Sequence, residues 1–286
     1  ASKGGPAAAN SPAGGDAAAK PEAKPMSPPA PGGGAAAPLR LQRVVVRDPM
    51  VRNCEALVML SPVGWRFDAR IDWFVHESVL ANPVWVMSEP ETGASIRSLP
   101  FRQFTWSQGG VLPVGQNHMG MIVLPPIMDP AEFVQRFWVE GAGVLPHLRG
   151  VAPASVQEAD ALARLAVKEW GAPAEARGFR LRYAFEHDGR EWEEEIRFAL
   201  LYARGDPTIW LVTHCTAVRA LKGELARVVP IANAVCCSGS YTSEWRAAWR
   251  VCFDLLVKNA RGVLQDSRAL AAAVEANREH QQRLQR

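Results

Sequence analysis

The tightest constraint in this chain is a hairpin signature between Gly178 and Val218. Tyr183, Phe185, Trp192, Ile196, Phe198, Ile209 and Leu211 recur with period 2, and His187-Asp188-Gly189-Arg190 supplies the Asp-Gly pair of a two-residue type I′ turn. With Asp188 and Gly189 at the tip, Phe185 faces Trp192, Leu181 faces Ile196 and Phe179 faces Phe198 on one side, while Arg182 faces Glu195 on the other. Arg204-Gly205-Asp206-Pro207 turns the chain into Ile209 to Val218, which is apolar on both faces. That third strand is expected to be central, with the hairpin leading outward to an edge.

The rest of the chain supplies strands on one side of this unit and helices on both sides. Leu41 to Val46 and Cys54 to Leu60 read as strands, and Ser61-Pro62-Val63-Gly64 forces a turn before the alternating strand Arg66 to His76. Pro83 to Met87 and Ala94 to Leu99 flank a hairpin loop at Glu89 to Gly93. Ser107 to Met128, with four glycines and three prolines, reads as a long functional or mobile loop. Asp129-Pro130-Ala131-Glu132 starts a helix that buries Phe133, Phe137 and Trp138. Ser155 to Glu158 reads as a second capping box, opening a helix with Leu162, Leu165 and Ala166 that ends near Trp170-Gly171. Lys222 to Cys237 is a third helix, with Pro230 as a kink or late start. Ser243 caps a fourth, striped by Trp245, Trp249, Phe253 and Leu256.

The expected domains are a low-complexity Ala/Pro/Gly linker over 1–38, a single α+β domain over 39–256 and a polar helical extension over 257–286. The linker buries too little to offset its ordering entropy. Its composition, and a start without Met, suggest an exported, mature form of periplasmic or extracellular location, with a cytoplasmic chain as the alternative. No apolar run reaches the roughly 18 residues that span a bilayer.

At Leu60-Ser61-Pro62-Val63-Gly64-Trp65, the pattern resembles the PsbP-like superfamily. The further points of likeness are a helical crossing, a strand meander and a helix ending in Ser238 shortly before Trp245. That superfamily includes an extrinsic photosystem II subunit, a Ran-binding nuclear import factor and exported bacterial proteins. The resemblance covers about Asp48 to Trp249 and implies an antiparallel β-sheet between helical layers. The segment Ser107 to Met128 and both ends depart from the family pattern.

Chemistry-bearing motifs are scarce. No nucleophile elbow, HExxH, P-loop, GxGxxG or EF-hand loop is present. Net charge is +3, with both signs interleaved, so nucleic acid is not an expected partner. The five cysteines lack metal-ligand spacing, and Cys215 and Cys236 read as small hydrophobes. No cofactor or metal is expected. Of six histidines, His76 and His214 read as structural strand residues, and His118 beside Gln116 and Asn117 is the functional candidate. The acidic run Glu191, Glu193, Glu194 and Glu195 reads as an ion-paired exposed surface opposite Arg180, Arg182 and Arg197. Of ten tryptophans, Trp106 and Trp170, near element ends, are the candidate exposed platforms.

These readings leave two functions. The first is a non-catalytic accessory or assembly subunit on a larger, membrane-associated protein complex, without a transmembrane segment of its own. The second is a small-molecule-binding protein or unrecognised hydrolase with a pocket near His118. Convergent polar groups in a deep pocket favour the second, and a flat apolar patch, with both ends ordered only against other chains, favours the first.

Overall fold

In the computed structural model, residues 39–259 are described, except 75–76, 108–112 and 206, so the expected linker over 1–38, His76 and the expected extension past residue 259 lie outside the described residues. β1 (Leu41–Asp48) and β2 (Cys54–Pro62) pair antiparallel from Leu41↔Pro62 to Asp48↔Cys54. Between them, the Asp48 carboxylate caps a 3₁₀ turn, Pro49–Val51, by accepting from the Met50 N–H at 2.9 Å. β3 (Arg66–Trp73) pairs with β4 (Ala81–Ser88), and β4 with β5 (Ser95–Ser98), across a loop in which Thr92 bonds both Glu89 and the Ala94 N–H.

The long loop expected over Ser107 to Met128 is partly sheet. β6 (Arg102–Trp106) is joined in parallel by β8 (Met121–Val123), which in turn pairs with β7 (Asn117–His118). The turn at Met119 and Gly120 has φ of 52° and 83°, and a Cβ on Gly120 would lie 2.5 Å from the Ser78 amide nitrogen. Glycine there is required by both conformation and space.

α1 (Pro130–Phe133) begins as its sequence predicts, Asp129 accepting from the Ala131 N–H at 2.8 Å, and it widens into a π-helical stretch, Val134–Gly141. A 3₁₀ turn, Pro146–Leu148, follows. The expected second capping box is instead an edge strand, β9 (Ser155–Glu158), and α2 (Asp160–Trp170) starts later, ending at Gly171 with φ 70°. The edge of β10 (Glu175–His187) captures Ser155 to Glu158 through Arg182↔Ser155 to Phe179↔Glu158. Gly178 lets the chain return there, since a Cβ would lie 2.2 Å from the Ala159 carbonyl oxygen.

β10, β11 (Arg190–Ala203) and β12 (Thr208–Leu221) form the meander, with Phe185↔Trp192, Leu181↔Ile196, Phe179↔Phe198 and Arg182↔Glu195 in the expected register. Asp188 and Gly189 have φ of 53° and 68°, as a type I′ turn demands. Gly189→Val should therefore cost about 1 kcal/mol or more in urea unfolding, because a β-branched residue resists positive φ. β12 carries a bulge: Arg197 pairs Thr216 and Ala199 pairs Thr213, so His214 and Cys215 together oppose Phe198, with His214 at φ 53°.

α3 (Leu225–Ser238) runs through Pro230 without ending there. β13 (Ser240–Tyr241) adds to β2, and a final helix, α4, covers 243–259. Its cap is Thr242 rather than Ser243, the Thr242 hydroxyl accepting from the Trp245 N–H at 3.2 Å.

The protein is thus mixed α and β with sheets that are antiparallel except where β8 joins β6. β1-β2-β13 form one, and β3-β4-β5-β12-β11-β10-β9 run in that order through the other, with β12 inside and β9 at the edge. On one face of the meander Phe179, Leu181, Ile196, Phe198, Leu200, Trp210 and Val212 pack against Phe133, Val134, Trp138 and Val139. On the other, Ala199, Leu201 and Leu211 meet Ala166 of α2, while Val218 and Ala220 meet Val228, Ala232 and Val235 of α3. No helix among the described residues is long and apolar enough to cross a membrane.

Candidate functional site

The residues nominated by sequence do not converge. Gln116 and Asn117 are exposed and hold their own hairpin: the Gln116 carbonyl accepts from Val123 N–H at 2.8 Å, and the Asn117 carboxamide oxygen accepts from Gly120 N–H at 2.8 Å. His118 pairs with Met121 and is half-buried. Trp106, half-buried at the end of β6, pairs with Thr208, so β6, β8 and β7 place it on the same ladder as His118. Trp170 closes α2, half-buried against the cluster of Ala166, Ala199, Leu201 and Leu211. None of the five lines either of the two cavities described next.

The larger cavity, about 410 Å³, is an open groove over the polar face of β3, β4 and β5. Alternation on β3 turns Asp68, Arg70 and Asp72 to this face, and the register sets Val86, Val84 and Asn82 beside them on β4 and Arg97 beyond Val86 on β5. Leu99, Pro100 and Arg102 close one end, and Ala142 and Val144, just after the π-helical stretch, form a wall. Its volume lies within the range of about 300–1,000 Å³ typical of small-ligand pockets.

Behind the groove lies a buried charge cluster. Glu194 is wholly buried, accepting from Arg97 Nη2 at 2.8 Å and from His147 Nε2 at 2.5 Å. It stands between Tyr183 on β10 and Arg219 on β12, whose guanidinium covers the Trp192 ring at 4.1 Å. Burial pushes the Glu194 carboxyl up, but the His147 hydrogen bond and the Arg97 charge outweigh it and hold Glu194 below the usual carboxylate range. Burial and the Glu194 charge push the Tyr183 hydroxyl up, so it stays protonated. On the opposite face Glu195 is also buried, bonded to Arg182 at 2.9 Å and Arg197 at 2.6 Å.

The acidic run is therefore split: Glu191 is exposed and ion-paired as expected, with Lys222, and Glu193 is half-buried, whereas Glu194 and Glu195 are interior. The register itself carried the signal, because the alternation that sets Trp192 and Ile196 inward sets Glu194 inward between them.

A smaller cavity of about 300 Å³ lies between α4 and the turn after β1, lined by Met50, Val51, Trp73, Cys252, Leu255 and Leu256 among others. Two of its lining residues are apolar and exposed, Met50 by 75% and Leu255 by 55%, and Val251, one turn before Leu255 on α4, is exposed by 60%. Cys236, expected to pack as a small hydrophobe, is exposed as a residue of α3, but burial around its sulfur pushes the thiol up to about 11; all five cysteines are free.

His214 at the bulge is buried by about four-fifths, 3.4 Å from a Glu169 carboxylate oxygen. Its Nε2 makes no hydrogen bond of good geometry. Burial depresses its basicity more than Glu169 restores it. Among the described residues, no cluster of three or more His, Cys, Asp or Glu could hold a metal ion.

No family model and no curated protein matches the chain. Among solved structures, LpqN, involved in cell envelope biogenesis of Mycobacterium tuberculosis, is similar at 13% identity, with 71% of this chain and 91% of that chain covered and a TM-score of 0.30.

Proposed function

We propose that this protein is a non-catalytic accessory subunit, exported and docked on a larger membrane-associated protein complex. The observation that carries the reading is the exposure of three large apolar side chains, Met50, Val251 and Leu255. Val251 and Leu255 lie four residues apart on α4, beside a ready-made apolar groove that also takes in Leu256 and Val51. An exposed helix flank beside a groove of this kind suits an apolar helical segment of a partner, read at i and i+4 anchors. The PsbP-like resemblance belongs to this reading, since that superfamily includes extrinsic subunits and layers its sheet between helices. In the same reading Trp106 and the Gln116-Asn117-His118 hairpin tip form a second contact region, with Trp170 outside it.

The test is the double substitution Val251→Asp with Leu255→Asp in the full chain. Both side chains are exposed, so thermal melting should stay within about 0.5 kcal/mol of the parent. Co-purification with the membrane fraction, and cross-links formed through Cys252 in the groove, should be lost. Undiminished association would move the interface away from α4.

A further inference from the structure

We propose that the groove over β3, β4 and β5 is a binding site for a neutral, polyhydroxylated ligand of the saccharide class, independent of docking through α4.

The argument turns on which polar groups are already committed. Each guanidinium in the groove has its own carboxylate: Arg70 is bidentate on Asp72 at 2.8 and 3.2 Å, Arg97 is bonded to Glu194 at 2.8 Å, and Arg102 is paired with Glu77. An incoming anion would have to share or break one of these pairs, and the Asp68 carboxylate would repel it. Charge therefore does not recommend an anion, and the one carboxylate left over, Asp68, is exposed, where solvent screens its pull on a cation.

What remains uncommitted is a mixture of donors and acceptors. The Asn82 carboxamide, only 4% exposed, lines the groove and has no side-chain hydrogen bond among the described residues. It offers both a carbonyl acceptor and two N–H donors, where a buried amide ordinarily has partners. Among the described residues the Asp68 carboxylate forms no ion pair within 4 Å, and Arg70 and Arg102 keep guanidinium N–H groups beyond those held by Asp72 and Glu77. Between these polar edges the floor and wall are Val84, Val86, Pro100 and Val144. A ring whose hydroxyls both donate and accept, and whose C–H face is apolar, matches this pattern. A simple anion or an aliphatic chain would satisfy only half of it. The volume of about 410 Å³ suits one or two sugar rings.

The full chain should be titrated calorimetrically with glucose, maltose and N-acetylglucosamine, and in parallel with glucose 6-phosphate and inorganic phosphate. The expected result is binding of at least one neutral sugar, with an affinity unchanged between roughly 0.05 and 0.5 M salt. Asn82→Ala should weaken it by about tenfold, the loss of one or two neutral hydrogen bonds. Asp68→Ala should weaken it as well, and because Asp68 is exposed that variant leaves the fold intact. Binding confined to the phosphates and suppressed by salt would overturn the assignment in favour of an anion site. Absence of sugar binding, or equal sugar binding by the parent and both variants, would remove the site from this groove.

Discussion

Glu194→Ala is expected to lower the unfolding free energy by about 3 to 5 kcal/mol, measured in urea at neutral pH. The carboxylate is wholly buried and is the partner of Arg97 and His147, with Arg219 also beside it. Removing it leaves guanidinium charge without a counter-ion in a site already short of partners, since Arg97 Nε, Arg219 Nε and the Tyr183 hydroxyl have none. The same group sets part of the acid response. Its folded-state pKa lies below the unfolded value, so its contribution is complete above about pH 4.3 and is lost as pH falls through the folded value. Glu195, where the charge of Arg197 and the bond from Arg182 outweigh burial, acts in the same direction. Stability should decline as pH drops below about 4, and Glu194→Ala should show a shallower decline than the parent. An equal slope in both would detach the acid response from this cluster.

The second large effect is expected at Asp48. This wholly buried carboxylate binds two indole N–H groups through Oδ2, Trp73 at 2.9 Å and Trp245 at 2.6 Å, while Oδ1 caps the turn at Met50. It thereby ties β1, β3 and α4 together at one residue. Asp48→Ala strands the buried indole donor of Trp245, at about 1–3 kcal/mol, takes the partner from the half-buried donor of Trp73 and removes a cap. A total near 3 kcal/mol is expected, read by denaturant unfolding together with the tryptophan emission maximum. Asp48→Asn, which keeps an acceptor oxygen, should recover part of it. If Asp48→Ala melted like the parent, α4 would not depend on this anchor.

How far the sequence predicted these features depended on whether the determining contact was local. The Asp188-Gly189 turn fixes its own backbone, and alternation from that turn sets every pair back to Phe179↔Phe198. Asp129 likewise caps the helix beside it. Ser155 to Glu158 failed as a cap because the competing partner, the open edge of β10, lies more than twenty residues away. Ser243 lost the cap to its neighbour Thr242, a choice of one position that composition does not decide. The groove was invisible for a related reason. Asp68, Arg70 and Asp72 read as the wet face of a strand, and only the pairing of β3 with β4 and the approach of residues 142–144 make that face concave. Asp48 gave no signal because its partners are 25 and 197 residues distant.

The bulge at His214 and Cys215 also acts as a change of phase in β12. Before it, even-numbered Trp210 and Val212 face the aromatic core with α1, whereas after it odd-numbered Cys215 and Ala217 do. The extra residue is thus what sends Val218 and Ala220 to α3 and leaves Arg219 beside Glu194. Deleting His214 would act on the sheet as a frameshift acts on a message: every side chain after it would exchange faces, with Arg219 driven against α3 and Val218 against Glu194. Length in this strand can therefore change without scrambling the downstream half only in steps of two.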